Sequence, residues 1–391
     1  MKQKRQTKIR GGIKLASRFS LEDKKYMARA LELAVKGEGY TSPNPMVGAV
    51  VVKDGRIIGE GYHKFYGGPH AEVYALNEAG SEAVGSEVYV TLEPCSHYGK
   101  TPPCADKLVN SGVKRVVVAM VDPNPEVAGR GIEILREAGI KVEVGLMAEK
   151  AKNINEVFIK YITQEYPFVY LKKAQTLDGY IATSTGDSKW ITNSKARLEG
   201  HKLRHKVDAV MVGIGTVLAD NPSLTTRLES DRSKDSLRIV LDPELAIPLE
   251  MKIINQESEA STLIICGDQA FEKNKAKAEK LLKLENVELR TFPIQNAEYL
   301  PIIEILKELH ERGISSILVE GGARLSHSFL HEGLVDKFYY FIAPKIYGGS
   351  DGIASFWGKG PEMMADAKDI EVEELKMLDD NYLLIGKFKD K

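Results

Sequence analysis

Segments with the patterns of β-strands and α-helices alternate twice along this chain, and a charged, amphipathic stretch over 147–166 separates the two runs. Alternation of this kind predicts α/β layers in which helices cover a sheet. The 391 residues are too many for one ordinary hydrophobic core, and no internal repeat relates the two halves. The sequence therefore predicts two different α/β domains, over 21–165 and 166–391, joined by a helical connector.

The order of elements in the first run can be read from its patterns. Ser20 begins a predicted helix that closes near Gly37, and MVGAVVVKDGRIIGEGYH predicts a β-hairpin that turns at Asp54-Gly55. Three predicted helices, HAEVYALNEAG, CADKLVNSG and RGIEILREAG, then alternate with the predicted strands SEVYVTLE, VKRVVVAM and IKVEVGL. We expect a mixed sheet covered by helices.

The second run begins at FVYLKKAQ and continues with the predicted strands DAVMVG, LRIVLD, STLIICG, VELRTFP, SSILVE and KFYYFIAP. Gly321-Gly322 follows one of these strands and precedes a predicted helix. Glycines at such a turn let the backbone approach a phosphate, whose charge a helix N-terminus favours. The turn is not the G-x-G-x-x-G fingerprint, so a Rossmann fold is not inferred, and a role as turn residues alone stays open.

Composition narrows the class of protein. The formal net charge is −1, which does not indicate a nucleic-acid or membrane partner. No apolar run approaches the roughly 18–20 residues that span a bilayer, and no secretory segment is recognisable. Three cysteines are too few for a disulfide scaffold, so we expect a cytoplasmic protein. Residues 1–20 form a basic tail that we interpret as disordered or expression-derived, in preference to a nucleic-acid-binding arm.

Four residues of the first half have the chemistry of a catalytic zinc site: His70, Glu72, Cys95 and Cys104. Catalytic zinc favours three imidazole or thiolate ligands and keeps the fourth position for water, whose pKa it lowers to about 7. His70 and Cys104 each begin a predicted helix, where the helix dipole stabilises a thiolate. Glu72 follows the histidine by two positions and could carry a proton to a departing amine.

The pattern departs in one respect from the signature of nucleobase deaminases, H-x-E followed by P-C-x-x-C. Tyr98 stands three positions after Cys95, where that signature has its second cysteine. The third ligand is therefore Cys104, after eight intervening residues, or else His97. A structural zinc site, or no metal, remains a further alternative.

Several strings together resemble one known family. TSPNPMVGAVVV, HAE, TLEPCSHYGKTPPC and DPNPEVAGRG in the first half, and TLDGYIAT, GDSKWIT, GIGTVLADNPSLTTR and VEGGARL in the second, resemble the bifunctional riboflavin-biosynthesis deaminase–reductases. In that family a long loop between the cysteines is the norm. The resemblance covers about residue 21 to the C-terminus. It implies a cytidine-deaminase-like α/β/α domain followed by a dihydrofolate-reductase-like α/β domain.

The resemblance implies site residues for the deaminase half. It implies one zinc ion per chain, bound by His70, Cys95 and Cys104, with Glu72 as the proton donor. It implies that substrate contacts come from Asn44, His63 and Lys100. Asn44 offers amide hydrogen bonds to a base edge, and Lys100 could pair with a 5′-phosphate. A purely structural role for His63 stays open.

The resemblance implies that the second half binds NADPH and the phosphorylated pyrimidine. The implied cofactor contacts are Ala174, Trp190, Thr216, Asp220, Gly321, Gly322 and Ala323. The implied substrate contacts are Ser188, Arg204, Leu224, Arg227 and Glu320. The fork-shaped guanidinium groups of Arg204 and Arg227 suit a ribose 5′-phosphate. Lys172 and Asp178 are candidates for polarising the sugar or its imine, although either could serve only structure.

These expectations combine into one hypothesis. A diaminopyrimidinone ribosylamine phosphate would lose ammonia by hydrolysis, and NADPH would then reduce its ribosyl group to ribityl. We expect a homo-oligomer that acts on this small molecule and not on nucleic acid or membranes. Two alternatives are a deaminase of tRNA or free cytidine with an accessory domain, and a non-catalytic zinc protein. The near-neutral charge disfavours the first, and Glu72 beside His70 disfavours the second.

Overall fold

A computed structural model describes residues 18–96, 102–125, 127–229, 233–294 and 299–389 of the chain. They form two compact units. Unit 1 comprises the described part of Met1–Gly37 together with Met46–Ile154, and unit 2 comprises Glu38–Pro45 together with the described part of Asn155–Lys391. The predicted tail, residues 1–20, lies outside the described residues except for its last three.

Helices and strands alternate in unit 1, as predicted. Its helices are α1 (Leu21–Val35), α2 (Ala71–Ala79), α3 (Cys104–Asn110), α4 (Arg130–Glu137) and α5 (Ala148–Ile154). Its strands are β1 (Gly48–Lys53), β2 (Arg56–Tyr62), β3 (Glu87–Leu92), β4 (Arg115–Met120) and β5 (Lys141–Val144). They form one mixed sheet in the order β2-β1-β3-β4-β5. The hairpin and the β1–β3 pair are antiparallel, whereas β3, β4 and β5 run parallel.

Local sequence explains the two helices that cover the hairpin. Ser20 caps α1 through a reciprocal capping box, in which its hydroxyl accepts from the Asp23 amide at 3.0 Å. Helix α2 packs so closely on β2 that a Cβ on Gly61 would lie 2.2 Å from the Ala71 carbonyl oxygen. Only glycine permits this approach, which brings the beginning of α2 onto the sheet.

Unit 2 contains the second alternation. Its helices are α6 (Glu156–Thr163), α7 (Ser194–Lys206), α8 (Ile214–Asp220), α9 (Lys252–Asn255), α10 (Asp268–Lys273), α11 (Lys275–Leu281), α12 (Ile302–Glu311) and α13 (Ala323–His331). Its strands are β6 (Phe168–Thr176), β7 (Tyr180–Ala182), β8 (Ala209–Gly213), β9 (Leu237–Leu241), β10 (Thr262–Gly267), β11 (Val287–Phe292), β12 (Ser316–Glu320), β13 (Lys337–Ala343), β14 (Ile353–Ala354), β15 (Ile370–Leu378) and β16 (Asn381–Phe388).

The described residues of unit 2 form a nine-stranded sheet in the order β11-β10-β9-β8-β12-β6-β13-β16-β15, with β14 and β7 paired separately. The first seven strands are parallel, and β16 and β15 add antiparallel pairs at one edge. All seven predicted strands are confirmed as members of this sheet. The sequence patterns did not predict β15 and β16. Buried side chains form a core on each face of the sheet.

The connector differs from the single helix predicted for it. Helix α5 ends at Ile154 and α6 begins at Glu156, because Asn155 between them leaves helical geometry (φ −111°, ψ 19°) with its side chain buried. Helix α6 belongs to unit 2, where Lys160 Nζ lies 2.6 Å from Asp336 Oδ2. The two units therefore divide at Ile154 and Asn155, whereas the sequence placed the boundary at 165 and 166.

The segment Glu38–Pro45 belongs to unit 2 although unit 1 surrounds it in sequence. The Ser42 hydroxyl donates to Asp208 Oδ2 at 2.7 Å, and Lys206 Nζ lies 2.9 Å from a Glu38 carboxylate oxygen. Among the described residues, no helix combines the length and apolar character needed to cross a bilayer.

Candidate active sites

The three predicted zinc ligands come from three separate elements of unit 1. His70 is the N-cap of α2, Cys95 follows the buried strand β3, and Cys104 is the first residue of α3. The Ala105 amide donates to the Cys95 carbonyl oxygen at 3.2 Å, which fixes α3 to the loop after β3. Two helix N-termini and one strand end thus converge on one point.

The ligand atoms of His70, Cys95 and Cys104 all lie within 4.8 Å of one another. His70 Nδ1 is 3.5 Å from Cys95 Sγ and 3.3 Å from Cys104 Sγ. One imidazole and two thiols at these separations match the donor set of a catalytic zinc centre with a position left for water. The three residues fit zinc, and the predicted ligand set is brought together.

The electrostatics of the site suit both metal binding and proton transfer. Hydrogen bonds from the Cys104 side chain and backbone, and from His70, lower the pKa of Cys95 despite its burial. The Glu72 carboxyl is buried, and burial raises its pKa to about 7. A carboxyl with this pKa exchanges a proton near neutral pH.

The remaining residues predicted for this site have different positions. His63 is buried, its Nδ1 donates to the Pro69 carbonyl oxygen at 3.0 Å, and its ring lies edge-on to that of His70 with 5.5 Å between the ring centres. Asn44 lies in the segment Glu38–Pro45, and its backbone amide donates to the Thr41 carbonyl oxygen at 2.8 Å. Lys100 and the alternative ligand His97 lie outside the described residues.

Glu93 organises the loops around Cys95, and sequence reasoning missed it. Its buried carboxylate accepts hydrogen bonds from the backbone amides of Gly129, Gly131 and Ile132 at 2.9–3.3 Å. These amides belong to the start of α4 and the residue before it. The available signal was its position two residues before Cys95. The carboxylate at this position fixes the loop that carries Cys95.

Unit 2 contains a cleft of about 1970 Å³ at the carboxyl ends of its parallel strands. Ligands bind at this edge of open α/β sheets. Thirteen of the fourteen residues predicted to contact cofactor or substrate in the second half of the chain line the cleft. They are Lys172, Ala174, Ser188, Trp190, Arg204, Thr216, Asp220, Leu224, Arg227, Glu320, Gly321, Gly322 and Ala323.

The strand-to-helix turn Glu320–Ala323 has the form of a phosphate cradle. Gly321 has φ +122°, and a Cβ added there would lie 2.7 Å from Thr216 Oγ1. The same oxygen accepts a hydrogen bond from the Gly322 amide at 3.0 Å. The first amides of α13 have no intrahelical acceptors and face an approaching anion. The cradle fits the diphosphate of a dinucleotide.

Glu320 is the centre of a buried charge cluster. Arg204 donates to both carboxylate oxygens, at 2.6 Å from Nε and 2.9 Å from NH2, and Lys172 Nζ lies 3.7 Å away. Burial by itself raises the pKa of Glu320. The charges of Arg204 and Lys172 lower it by more, so the pKa falls to about 2. The carboxylate is therefore charged at neutral pH. Arg204 also donates to the Thr225 carbonyl oxygen at 3.0 Å.

Asp178 is not among the residues that line the cleft. It accepts hydrogen bonds from the Thr176 hydroxyl at 2.6 Å and from the amides of Tyr347 and Gly348 at 3.1 and 2.9 Å. These bonds, that of Thr176 first, lower its pKa to about 2. Its carboxylate thus connects Thr176, at the end of β6, to the backbone of Tyr347 and Gly348, and its role in polarising the sugar or its imine stays a prediction.

Four cleft residues, His201, Arg197, Arg324 and Trp357, had no recognisable signal in the sequence. His201 accepts from the Arg227 amide at 3.3 Å, and the Arg324 guanidinium lies 5.1 Å above the Trp357 ring. In the same way, the Arg197 guanidinium lies 4.3 Å from the ring centre of Trp190, which is itself exposed. Such pairs depend on loops that the residue pattern does not place.

The His-Cys-Cys centre beside a buried glutamate, on a mixed sheet, defines a zinc-dependent deaminase. The second unit adds an α/β domain with a cofactor-sized cleft. Residues 20–120 match the cytidine and deoxycytidylate deaminase zinc-binding region, and residues 167–379 match the RibD C-terminal domain. The latter match covers more than half of the chain.

Curated relatives match along nearly their whole length. The riboflavin biosynthesis protein RibD of Aquifex aeolicus (strain VF5) is 49% identical over 355 residues, 90% of this chain and 96% of that protein. RibD of Escherichia coli (strain K12) is 41% identical over 367 residues, 91% and 96% of the two chains. The chain belongs to the RibD family of bifunctional deaminase/reductases of riboflavin biosynthesis.

Solved structures have the same architecture. Acinetobacter baumannii RibD, form 1, superposes with a TM-score of 0.84 at 39% identity, over 94% of this chain and 99% of that one. A diaminohydroxyphosphoribosylaminopyrimidine deaminase/5-amino-6-(5-phosphoribosylamino)uracil reductase from Thermotoga maritima gives 0.81 at 38% identity, over 94% and 99%. The predicted fold class, a deaminase domain followed by a reductase domain, is confirmed.

Proposed function

We propose that the chain deaminates 2,5-diamino-6-(5-phosphoribosylamino)pyrimidin-4-one and then reduces the ribosyl group of the product to ribityl with NADPH. The observation that carries the first step is the convergence of His70, Cys95 and Cys104 beside buried Glu72. The Glu320–Ala323 cradle in the cleft of unit 2 supports the second step. The family membership supports both steps occurring in one chain.

In the first reaction, His70, Cys95 and Cys104 hold one zinc ion per chain. Zinc supplies the chemistry of activating water at neutral pH. Glu72 accepts the proton that the water loses and delivers it to the departing amine. Its pKa of about 7 suits both directions of transfer. Asn44, His63 and Lys100 are proposed to contact the substrate.

In the second reaction, the Gly321–Ala323 turn and Thr216 bind the NADPH diphosphate, while Ala174, Trp190 and Asp220 contact the rest of the cofactor. NADPH supplies a hydride. Glu320 and Lys172 orient the open-chain sugar, together with Ser188 and Leu224. Arg204 and Arg227 are the proposed contacts of the 5′-phosphate, and Arg204 donates three of its five N–H groups to Glu320 and Thr225 and keeps two for a ligand.

We also propose a cytoplasmic homo-oligomer that has no nucleic-acid partner. Strand β15 is exposed along nearly its whole length and presents the apolar side chains Val372, Leu375 and Met377 to solvent. It pairs with β16 along one edge, and its other edge has no strand partner among the described residues. Such an edge favours pairing with a second copy of the chain.

The proposal is tested by supplying the purified full chain with the phosphorylated diaminopyrimidinone and following ammonia release and NADPH oxidation. Ammonia is expected first, and NADPH oxidation is expected only after it. Cytidine and tRNA are the comparison substrates. Deamination of either at a comparable kcat/KM, without turnover of the pyrimidine phosphate, would establish the alternative deaminase function instead.

A further inference from the structure

Lys173 on β6 lies directly beneath the Gly321–Gly322 turn. The residue is 2% exposed, and its Nζ donates to the Gly321 carbonyl oxygen at 2.9 Å and to Ser326 Oγ at 2.7 Å. Its neighbour Lys172 points from the opposite face of the strand toward Glu320 in the cleft. Both lysines line the cleft, but they bond different structures: Lys172 faces the Glu320 carboxylate, and Lys173 donates to the underside of the turn.

A buried amine is an expensive way to fill this position. Burial lowers the pKa of Lys173 to about 7, and the nearby Lys172 charge lowers it in the same direction. A methionine would occupy a similar volume without that cost. The reason for a donor at this point must lie in the two acceptors that it reaches, and one of them is the backbone of the turn.

The turn is held from two sides. Below it, the Ser326 hydroxyl donates to the Gly322 carbonyl oxygen at 3.1 Å while it accepts from Lys173. Above it, Thr216 Oγ1 accepts from the Gly322 amide at 3.0 Å. Without Lys173, the Gly321 carbonyl would lose its nearest donor and keep only the Ser326 hydroxyl at 3.4 Å, so the peptide would rotate toward that weaker bond. That rotation would change the direction of the amides at the start of α13.

We propose that Lys173 is a positioning residue for NADPH, which holds the Gly321–Gly322 turn so that the amides at the start of α13 face the cofactor diphosphate. This inference rests on the proposed reductase function. It assigns Lys173 no contact with either ligand. Its loss should therefore weaken cofactor binding selectively, whereas loss of Lys172, on the other face, should affect the substrate.

The test uses the full chain with Lys173→Met. NADPH is titrated at equilibrium by its nicotinamide fluorescence, and the KM for the deaminated pyrimidine phosphate is measured at saturating NADPH. The Kd for NADPH is expected to rise about 10-fold or more, from the loss of two buried hydrogen bonds. The substrate KM and the deaminase rate are expected to change less than about 2-fold. Ser326→Ala should shift the Kd in the same direction by a smaller factor.

Arg238→Met is the matched control. Arg238 is also a buried cation of this sheet, but it donates to Thr262, Ser258 and Ala260 and does not line the cleft. It should lower the melting temperature of the chain and leave the NADPH Kd of the folded protein unchanged.

Each outcome decides the inference. An unchanged NADPH Kd in folded Lys173→Met, or equal rises in the Arg238→Met control, would overturn the positioning role and leave the proposed function intact. If Lys173→Met does not fold, Ser326→Ala decides, because an unchanged Kd in that variant refutes the network. A wild-type chain that binds no NADPH would overturn the proposed reductase function itself.

Discussion

Arg204 and Glu320 form a two-pronged ion pair at the floor of the unit 2 cleft, with both carboxylate oxygens within 2.9 Å of guanidinium nitrogens. Both groups are buried, so neither can be removed without leaving an uncompensated charge. The pair therefore fixes the side of the cleft next to the Gly321 turn. Three of the five N–H groups of Arg204 are engaged, so this arginine still has donors for an oxygen of the substrate.

Arg227→Ala is expected to raise the KM for the phosphorylated pyrimidine about 10- to 100-fold with little change in kcat, because the lost contact is a charge-assisted hydrogen bond. Steady-state kinetics of the reductase step measure this. The dephosphorylated substrate is the control, since its KM should be the same in wild type and variant. Equal losses for both substrates would contradict a phosphate-binding role.

Cys104→Ser is expected to lose stoichiometric zinc, because a hydroxyl does not replace the thiolate of a three-ligand centre. Metal analysis of the purified chain measures it. Cys266→Ser is the matched control, since Cys266 is buried in β10 and should leave one zinc per chain. One zinc per chain in Cys104→Ser, with normal deamination, would move the third ligand to His97 or elsewhere.

Glu72→Gln is expected to keep zinc but to lower the deaminase kcat by about 10²–10⁴-fold, because an amide cannot carry the proton. Reduction of substrate deaminated beforehand should continue at the wild-type rate. Ammonia release and NADPH oxidation, measured separately on one preparation, distinguish the two. Deamination within a few-fold of wild type would mean that another group carries the proton.

The stability of unit 1 is expected to fall in acid through the cluster around Arg115, which lies within 2.8 Å of Asp23, Glu87 and Glu143. Burial by itself raises the pKa of each carboxyl. Hydrogen bonds from Arg115 lower it by more, so each pKa lies below its ordinary value. A carboxyl whose pKa is lower in the folded than in the unfolded chain stabilises the fold at pH values above its unfolded-state pKa. This stability is lost as the pH falls through its folded-state pKa. The loss is expected from about pH 5 downward.

The variant that tests this prediction is Arg115→Met. Removing the guanidinium from a partly solvated cluster should cost about 1–3 kcal/mol at pH 7 and flatten the dependence of the unfolding free energy on pH below 5. Denaturant unfolding at several pH values measures both. An equally steep acid loss in the variant would place the responsible carboxyls elsewhere.

A reductase fragment that begins at residue 155 is expected to be more stable than one that begins at 166. Helix α6 contributes Glu156 and Lys160 to ion pairs with Lys337 and Asp336, and the shorter fragment leaves those partners uncompensated. Thermal melting of the two fragments compares them directly. NADPH titration of each fragment then tests whether the cofactor site needs the Glu38–Pro45 segment, which both fragments lack.

The zinc centre could be predicted because its signals are local. His70 and Cys104 each begin a helix, and the residue types themselves specify the metal. The final hairpin, β15 and β16, could not be predicted, because β15 carries charges on both faces and lacks the alternation of a half-buried strand. The residue pattern alone did not separate Lys172 from Lys173, and only the family resemblance pointed to Lys172. Alternation puts them on opposite faces, but only the packing of α13 decides which face is the cleft.

The place of Glu38–Pro45 in unit 2 has a consequence for recombination. A chimera that replaced the N-terminal half at one crossover in the connector would bring a foreign version of this segment with it. Ser42 of the donor parent would then face Asp208 of the recipient. Crossovers that preserve both cores need three junctions, one on each side of 38–45 and one at 154–155.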